Sequence, residues 1–146
     1  MINPTYSTYS FSDTSFVLNH PSIGQCVLTG QGVGSIVVAY ANDASSQEVA
    51  HDGSIMTNKV VLKNGTVSFT LLQTSSGNAW MKKAYSKLLL ADASEWAQFN
   101  GTIENKTTGE VTTFSNACIQ KLPDANFQQT GQNNTWTFLA GVIESL

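Results

Sequence analysis

Lys59-Val60-Val61-Leu62-Lys63-Asn64-Gly65-Thr66-Val67-Ser68-Phe69-Thr70-Leu71-Leu72-Gln73 is the stretch whose reading decides the fold. Asn-Gly is the preferred pair for a two-residue type I′ turn, because both central positions need a positive φ. With the turn at Asn64–Gly65, Leu62 faces Val67 and Val60 faces Phe69, so four apolar side chains share one face. Lys59, Val61 and Lys63 meet Thr70, Ser68 and Thr66 on the other. Turn chemistry and binary pattern give one register. The reading predicts a β-hairpin over 59–73, with Phe69 in the core.

A helix follows. Ser75, Ser76 and Asn78 are N-cap residue types. Trp80, Ala84 and Leu88 recur at helical spacing, as do Met81, Tyr85 and Leu89, with Lys82, Lys83 and Lys87 opposite. The helix is predicted over about 77–91. Upstream, Ser15–His20 and Ile23–Thr29 read as short strands around Pro21–Ser22. Gly30, Gly32 and Gly34 break the chain. Ser35–Ala41 is β-branched and apolar and reads as a central strand. Downstream, Phe99–Glu104 and Glu110–Gln120 form a second hairpin around Asn105–Gly109. Asn134–Ser145 closes the chain, with Trp136, Phe138, Ala140 and Val142 on one face. Seven or more strands against one helix predict a mainly β fold, a β-sandwich or small barrel with one flanking α-helix, in a single domain over 1–146. Two polar stretches do not fit a minimal core: 42–58, and the Gln/Asn-rich 124–133. Long structureless loops in compact domains are usually functional.

The chain carries 41% hydrophobic and only 12% charged residues, against about 25% charged in ordinary globular proteins. Its net charge is −3 and all seven basic residues are lysines. Without arginine it lacks the bidentate reader of guanine and phosphate, and it has no basic stripe. Met1–Asp13 has neither a basic start nor an apolar run, so no signal peptide is expected. No apolar stretch reaches the roughly 20 residues of a membrane span. Sequons begin at Asn64, Asn100, Asn105 and Asn133 and read as by-products of an Asn/Thr-rich composition. Cys26 and Cys118 share no short motif and read as small buried thiols.

A search for chemistry finds no catalytic, cofactor or metal site. His51-Asp52-Gly53-Ser54 holds the residue types of a triad, but neighbours in one loop do not supply triad geometry. It reads as a polar turn. Two histidines and two scattered cysteines give no ligand spacing, and His20 reads as a strand end. Gly30-Gln31-Gly32-Val33-Gly34 lacks the Lys-Ser/Thr of a phosphate loop and the following helix of a dinucleotide fingerprint. Asp92 and Glu95 read as solvated charges. Trp80, Trp96 and Trp136 could form a sugar-binding platform, but Trp80 and Trp136 fall on core faces.

In the order of its motifs the sequence resembles the tail tube proteins of contractile-tailed (myovirus-type) bacteriophages. Ser35–Met81 carries a strand, the polar excursion with His51-Asp52-Gly53-Ser54, and then Thr66–Ala79, whose strand, Leu71-Leu72, Thr74-Ser75 and Asn78 lead into the helix. Gly109–Phe138 adds the Lys121-Leu122-Pro123-Asp124 exit and the Trp136-Thr137-Phe138 of the last strand. One departure is His51, where the family pattern has a glycine. The resemblance implies a non-enzymatic virion protein, assembled in the host cytoplasm. Hexameric rings would stack into an inner tube that conducts DNA during ejection without binding it specifically. Sheath, baseplate, tape measure and terminator proteins are the implied partners. It also implies that 42–58 is an assembly arm, an extended hairpin that reaches a neighbouring subunit, with Asp43, Gln47, Glu48, His51, Asp52, Ser54 and Met56 as interface candidates. The alternatives are the tube of a phage-derived injection machine or bacteriocin and, more distantly, a carbohydrate-binding β-sandwich.

Overall fold

The computed structural model describes residues 6–29 and 32–146. Of the expected break at Gly30, Gly32 and Gly34, Gly30 lies outside them, whereas Gly34 falls inside the strand Val33–Tyr40, at its register shift between Val33 and Ser35. Among the described residues nine strands and one α-helix follow in the order β1 (Thr14–His20), β2 (Gly24–Val27), β3 (Val33–Tyr40), β4 (Ser45–Val49), β5 (Ile55–Lys59), β6 (Gly65–Leu72), α1 (Ser76–Leu90), β7 (Phe99–Asn105), β8 (Val111–Ile119) and β9 (Asn133–Ser145). Seven of the strands form one antiparallel sheet in the order β2-β1-β7-β8-β9-β6-β3, while β4 and β5 pair only with each other. The expected mainly β fold with a single helix takes its barrel-like form, a sheet curled into a half-barrel.

Period-two burial explains the curl. Phe16 and Leu18 of β1, Val67, Phe69 and Leu71 of β6, Phe99 of β7, Phe114 of β8, and Trp136 and Phe138 of β9 all enter one buried cluster. Phe16 meets Phe69 edge to face, with centroids 5.1 Å apart, and Phe69 stacks on Phe138. Met81, Ala84 and Leu88 of α1 complete the cluster, and Trp80 packs against its rim. The helix touches β6 and β2, which stand near opposite ends of the strand order, so it spans the concave side. Leu89, expected on its apolar stripe, is instead exposed.

Ser75 caps the helix, its side chain accepting the Asn78 N–H at 3.1 Å. Asn78 itself is buried. Its Oδ1 accepts from Asn134 Nδ2 at 3.1 Å and from Trp136 Nε1 at 3.0 Å, and its Nδ2 donates to the Gln73 carbonyl at 3.2 Å. One amide therefore locks the start of α1 to the last strand, 58 residues away in sequence, and satisfies the indole of a fully buried tryptophan.

Three further expectations are corrected. Lys59–Gln73 is not a hairpin. Positive φ among non-glycines occurs only at Asn116 among the described residues, and Gly65 is not among the positive-φ glycines, so no type I′ turn exists at Asn64–Gly65. A strand has two edges, and those of β6 are taken by β3 (Tyr40 opposite Gly65) and β9 (Ala140 opposite Gly65). Lys59 instead pairs with Ser45, and Leu62 is exposed. Gly65 is required by packing, since a Cβ there would lie 2.1 Å from the Ala39 carbonyl oxygen. The inward face of β6 nonetheless holds Val67 and Phe69 as expected. Second, β3 is an edge strand, not a central one. Its apolar run has a single hydrogen-bonded neighbour, with Val37 and Tyr40 exposed. Third, Val142 is only half-buried, because the inward positions of β9 pass from Ala140 to Ile143. Gly141 there faces the left-handed Asn116 of β8, where the Phe99/Gly101 register shift also falls.

Candidate assembly surface

The chemistry-bearing residue types are occupied structurally. His20 is fully buried at the end of β1. The Ser22 N–H can only donate, so Nδ1 accepts it at 3.1 Å, and Nε2 must carry the proton given to the Glu95 carbonyl at 2.8 Å. Burial raises the thiol pKa of both Cys26 and Cys118, which keeps them protonated at neutral pH. Among the described residues no group of three or more His, Cys, Asp or Glu could hold a metal ion, and no helix is long and apolar enough to cross a membrane.

The feature that stands apart is the β4–β5 ribbon. It leaves the sheet after Tyr40 and returns to it at Gly65. Its base is clasped by Asn64, whose carbonyl accepts the Ala41 N–H at 3.1 Å and whose Oδ1 accepts from Asn42 Nδ2 at 2.7 Å. Five registered pairs hold its legs together, from Ser45 opposite Lys59 to Val49 opposite Ile55, and the Val60 N–H extends the ladder to the Ala44 carbonyl at 2.8 Å. The tip is a turn over Ala50–Ser54. Gly53 supplies a φ of 90°, and the Asp52 Oδ1 accepts the Ser54 N–H at 3.0 Å. That bond lowers the Asp52 pKa. It also shows what the His-Asp-Gly-Ser run is for: the carboxylate shapes a turn.

Every residue of β4 is exposed and only Asn58 of β5 is partly covered. Among the described residues the hydrogen bonds of Ser45–Lys59 stay within the ribbon. A lone two-stranded ribbon is marginally stable in water.

The seven interface candidates all lie on this element but not on one face. Gln47 faces Thr57 and bonds to it at 3.4 Å, whereas Glu48 faces Met56 on the opposite side. His51, Asp52 and Ser54 form the tip, and Asp43 stands at the base before β4. Sequence reasoning missed the apolar tip pair, Val49 and Ile55, which are 69% and 61% exposed. The signal was present as two β-branched residues flanking a polar turn.

The far end of the sheet carries a second uncovered segment. Gln73 ties it down, donating to the Asn126 carbonyl at 2.8 Å and accepting the Gln132 N–H at 3.2 Å. Between those anchors Phe127 is 91% exposed.

A half-barrel with an exposed two-stranded ribbon is the setting in which the family comparison applies. Residues 6–146 match the family model described as the Bacteriophage PhiTE tail tube protein. The chain belongs to this tail tube family. No curated protein matches it. Solved structures share the fold at low identity. A chain in the extended-state sheath–tube complex of PVC, an extracellular contractile injection system, is 9% identical with a TM-score of 0.62, covering 95% of this chain and 91% of that one. A chain in the anti-feeding prophage baseplate is 12% identical with a TM-score of 0.62, covering 100% and 97%. One in the anti-feeding prophage cap, described as its tube terminating cap, is 10% identical with a TM-score of 0.60, covering 100% and 95%. In this tail tube family member, Asn78 and Trp136, from the two stretches that carry the sequence resemblance, meet in one buried hydrogen bond.

Proposed function

We propose that this tail tube protein assembles into hexameric rings that stack into the inner tube of a contractile tail, with β4–β5 as the assembly arm, and that it catalyses nothing. The observation that carries the proposal is a regular ribbon whose side chains are almost all in solvent. A domain gains nothing by ordering such an element for itself, whereas a neighbour that covers it gains contact area. Stable interfaces bury more than about 1,000 Å² in total, and an arm extends the reach of a small subunit. The open edges of β2 and β3 offer unpaired backbone for further contacts within a ring.

The tube would conduct DNA during ejection without holding it, as a virion component put together in the host cytoplasm. The outward side chains Ser35, Ser68, Thr70, Thr135 and Thr137 make a hydroxyl-rich stretch of sheet, and its neighbouring cation Lys121 shares its hollow with Asp124, a poor grip for phosphate. Sheath, baseplate, tape measure and terminator proteins would be its partners. A phage-derived injection machine is the second reading. It is favoured by the recurrence of this fold in anti-feeding prophage and PVC assemblies.

Negative-stain microscopy of the purified protein at high concentration tests the proposal. Rings or tubes are expected, and persistent monomers at every concentration would refute it. Titration with duplex DNA near physiological salt should give no measurable binding. Micromolar, steeply salt-dependent binding would contradict passive conduction.

A further inference from the structure

His20 closes a latch. Its ring is fully buried where β1 ends, against Phe99 of β7 with centroids 4.8 Å apart. A neutral imidazole offers one acceptor and one donor, and both are used here: Nδ1 accepts the Ser22 N–H at 3.1 Å and Nε2 donates to the Glu95 carbonyl at 2.8 Å. Two surface bonds converge on the same turn. The Ser22 hydroxyl donates to Glu95 Oε1 at 2.8 Å, and Lys87 Nζ donates to the Ser22 carbonyl at 3.3 Å. The latch thus joins three separate pieces: the turn at 21–23, the last turn of α1 and the 3-10 turn Ala93–Glu95.

Strand β2 depends on that latch. It is an outermost strand of the sheet and pairs with β1 alone, from Val17 opposite Val27 to His20 opposite Gly24. Its side chains are mostly exposed, so apolar burial adds little along it. The chain is held before β2 by Ser22 and after it by the buried Leu28, whose N–H donates to the Phe16 carbonyl at 2.8 Å. A second proton on the ring undoes the first of these ties. An imidazolium donates from both nitrogens, so Nδ1 and the Ser22 N–H become two donors facing each other. A buried charge also needs a partner, and the surroundings give it none inside. Gly24, opposite on β2, and Phe99 on β7 are not ionisable. Glu95 and Lys87 reach the turn from outside with opposite charges, through bonds that lie in solvent. Asp92, at the start of the Glu95 turn, is exposed. Charges in water act weakly on a buried ring.

We propose that the His20 latch is an acid-sensitive switch: when the ring takes up a second proton, the turn at 21–23 lets go and the edge strand β2 loosens from β1 while the rest of the sheet stays intact. The switch belongs to the folded chain and does not depend on the tube reading. On that reading it releases one of the two edges offered to a neighbouring copy, so acid would act on a ring from within each subunit.

Residue-resolved hydrogen exchange on the full chain tests it between about pH 7.5 and 5, the range in which histidine changes charge. Corrected for intrinsic exchange rates, protection of Ser22 and of β2 should fall by on the order of tenfold, the worth of a stranded buried donor, while the amides of β6 hold. His20→Gln keeps an acceptor and a donor without a titrating proton and should remove the pH dependence. Glu95→Gln should leave it in place. Nitrogen NMR of the imidazole reads the same event and stands even where His20→Gln fails to fold. The ring should be the Nε2–H tautomer at neutral pH, and its protonation should run in step with the loss at β2. Constant protection of β2, whether the ring protonates or stays neutral, would overturn the switch, as would an even loss across β2 and β6. An acid response that survives His20→Gln, or one that disappears with Glu95→Gln, would overturn it too.

Discussion

Strand β6 and the β4–β5 ribbon are built from the same antiparallel pairing, yet their side chains meet opposite fates. Along β6, Gly65, Val67, Phe69 and Leu71 are buried in strict alternation between two neighbouring strands. Along β4 nothing is buried on either face. In the sheet, backbone pairing and apolar burial act together, and the hydrophobic term dominates stability. In the ribbon pairing acts alone, which is marginal. Regular secondary structure therefore carries the core in one region and, in the other, stands almost wholly in solvent.

Substitution should separate the two regions sharply. Phe69→Ala should cost about 3–5 kcal/mol of folding stability, because the cavity left among Phe16, Phe138 and the sheet cannot readily collapse. Ile55→Ala should change stability by less than about 0.5 kcal/mol, as exposed sites do. Urea titration of both variants checks the contrast, and equal costs would abolish it. A smaller loss, about 2–4 kcal/mol, is expected for Asn78→Leu. It strands the buried Trp136 Nε1 and Asn134 Nδ2 donors and removes the tie from α1 to β9. The same titration reads it, with loss of the helical circular dichroism signal before the β signal as its mark.

The smallest effect is confined to the ribbon tip. The Asp52 carboxylate has a lowered pKa because it accepts the Ser54 N–H, so the turn's stabilisation is present at neutral pH and is lost as pH falls through the lowered value, below the ordinary 3.8. Hydrogen exchange at Ser54 should accelerate in that acid range relative to Asp52→Asn, while the amides of β6 stay protected. A uniform response of ribbon and sheet would deny that the tip melts independently.

What the sequence made legible follows the same division. The helix could be read because its cap and its stripe are local: Ser75 bonds three residues on, and Met81, Ala84 and Leu88 share one face. The β7–β8 hairpin and the last strand could be read from alternation between turns. The pairing of β6 could not. Asn64–Gly65 is a strong local turn signal, but β3 and β9 occupy both edges of β6, a fact of tertiary structure with no local trace. Asn64 serves instead to clasp the ribbon base. The β-branched run of β3 reads alike whether a strand has one neighbour or two. The ribbon is visible as a polar excursion too long for the core, and six of its polar residues together with Met56 are named on that ground. Val49 and Ile55 carry no polar signal of their own, and their exposure follows only from the ribbon's standing clear of the sheet. The Asn78–Trp136 bond joins two stretches that were read separately.

The most direct test replaces Asp43–Met56 with a short Gly/Ser linker and follows both folding and assembly. The account predicts a soluble monomer that melts cooperatively close to the parent and forms no rings or tubes at concentrations where the parent does. Normal assembly of the shortened chain would show that the ribbon is not the joint, and failure to fold would show that it belongs to the core.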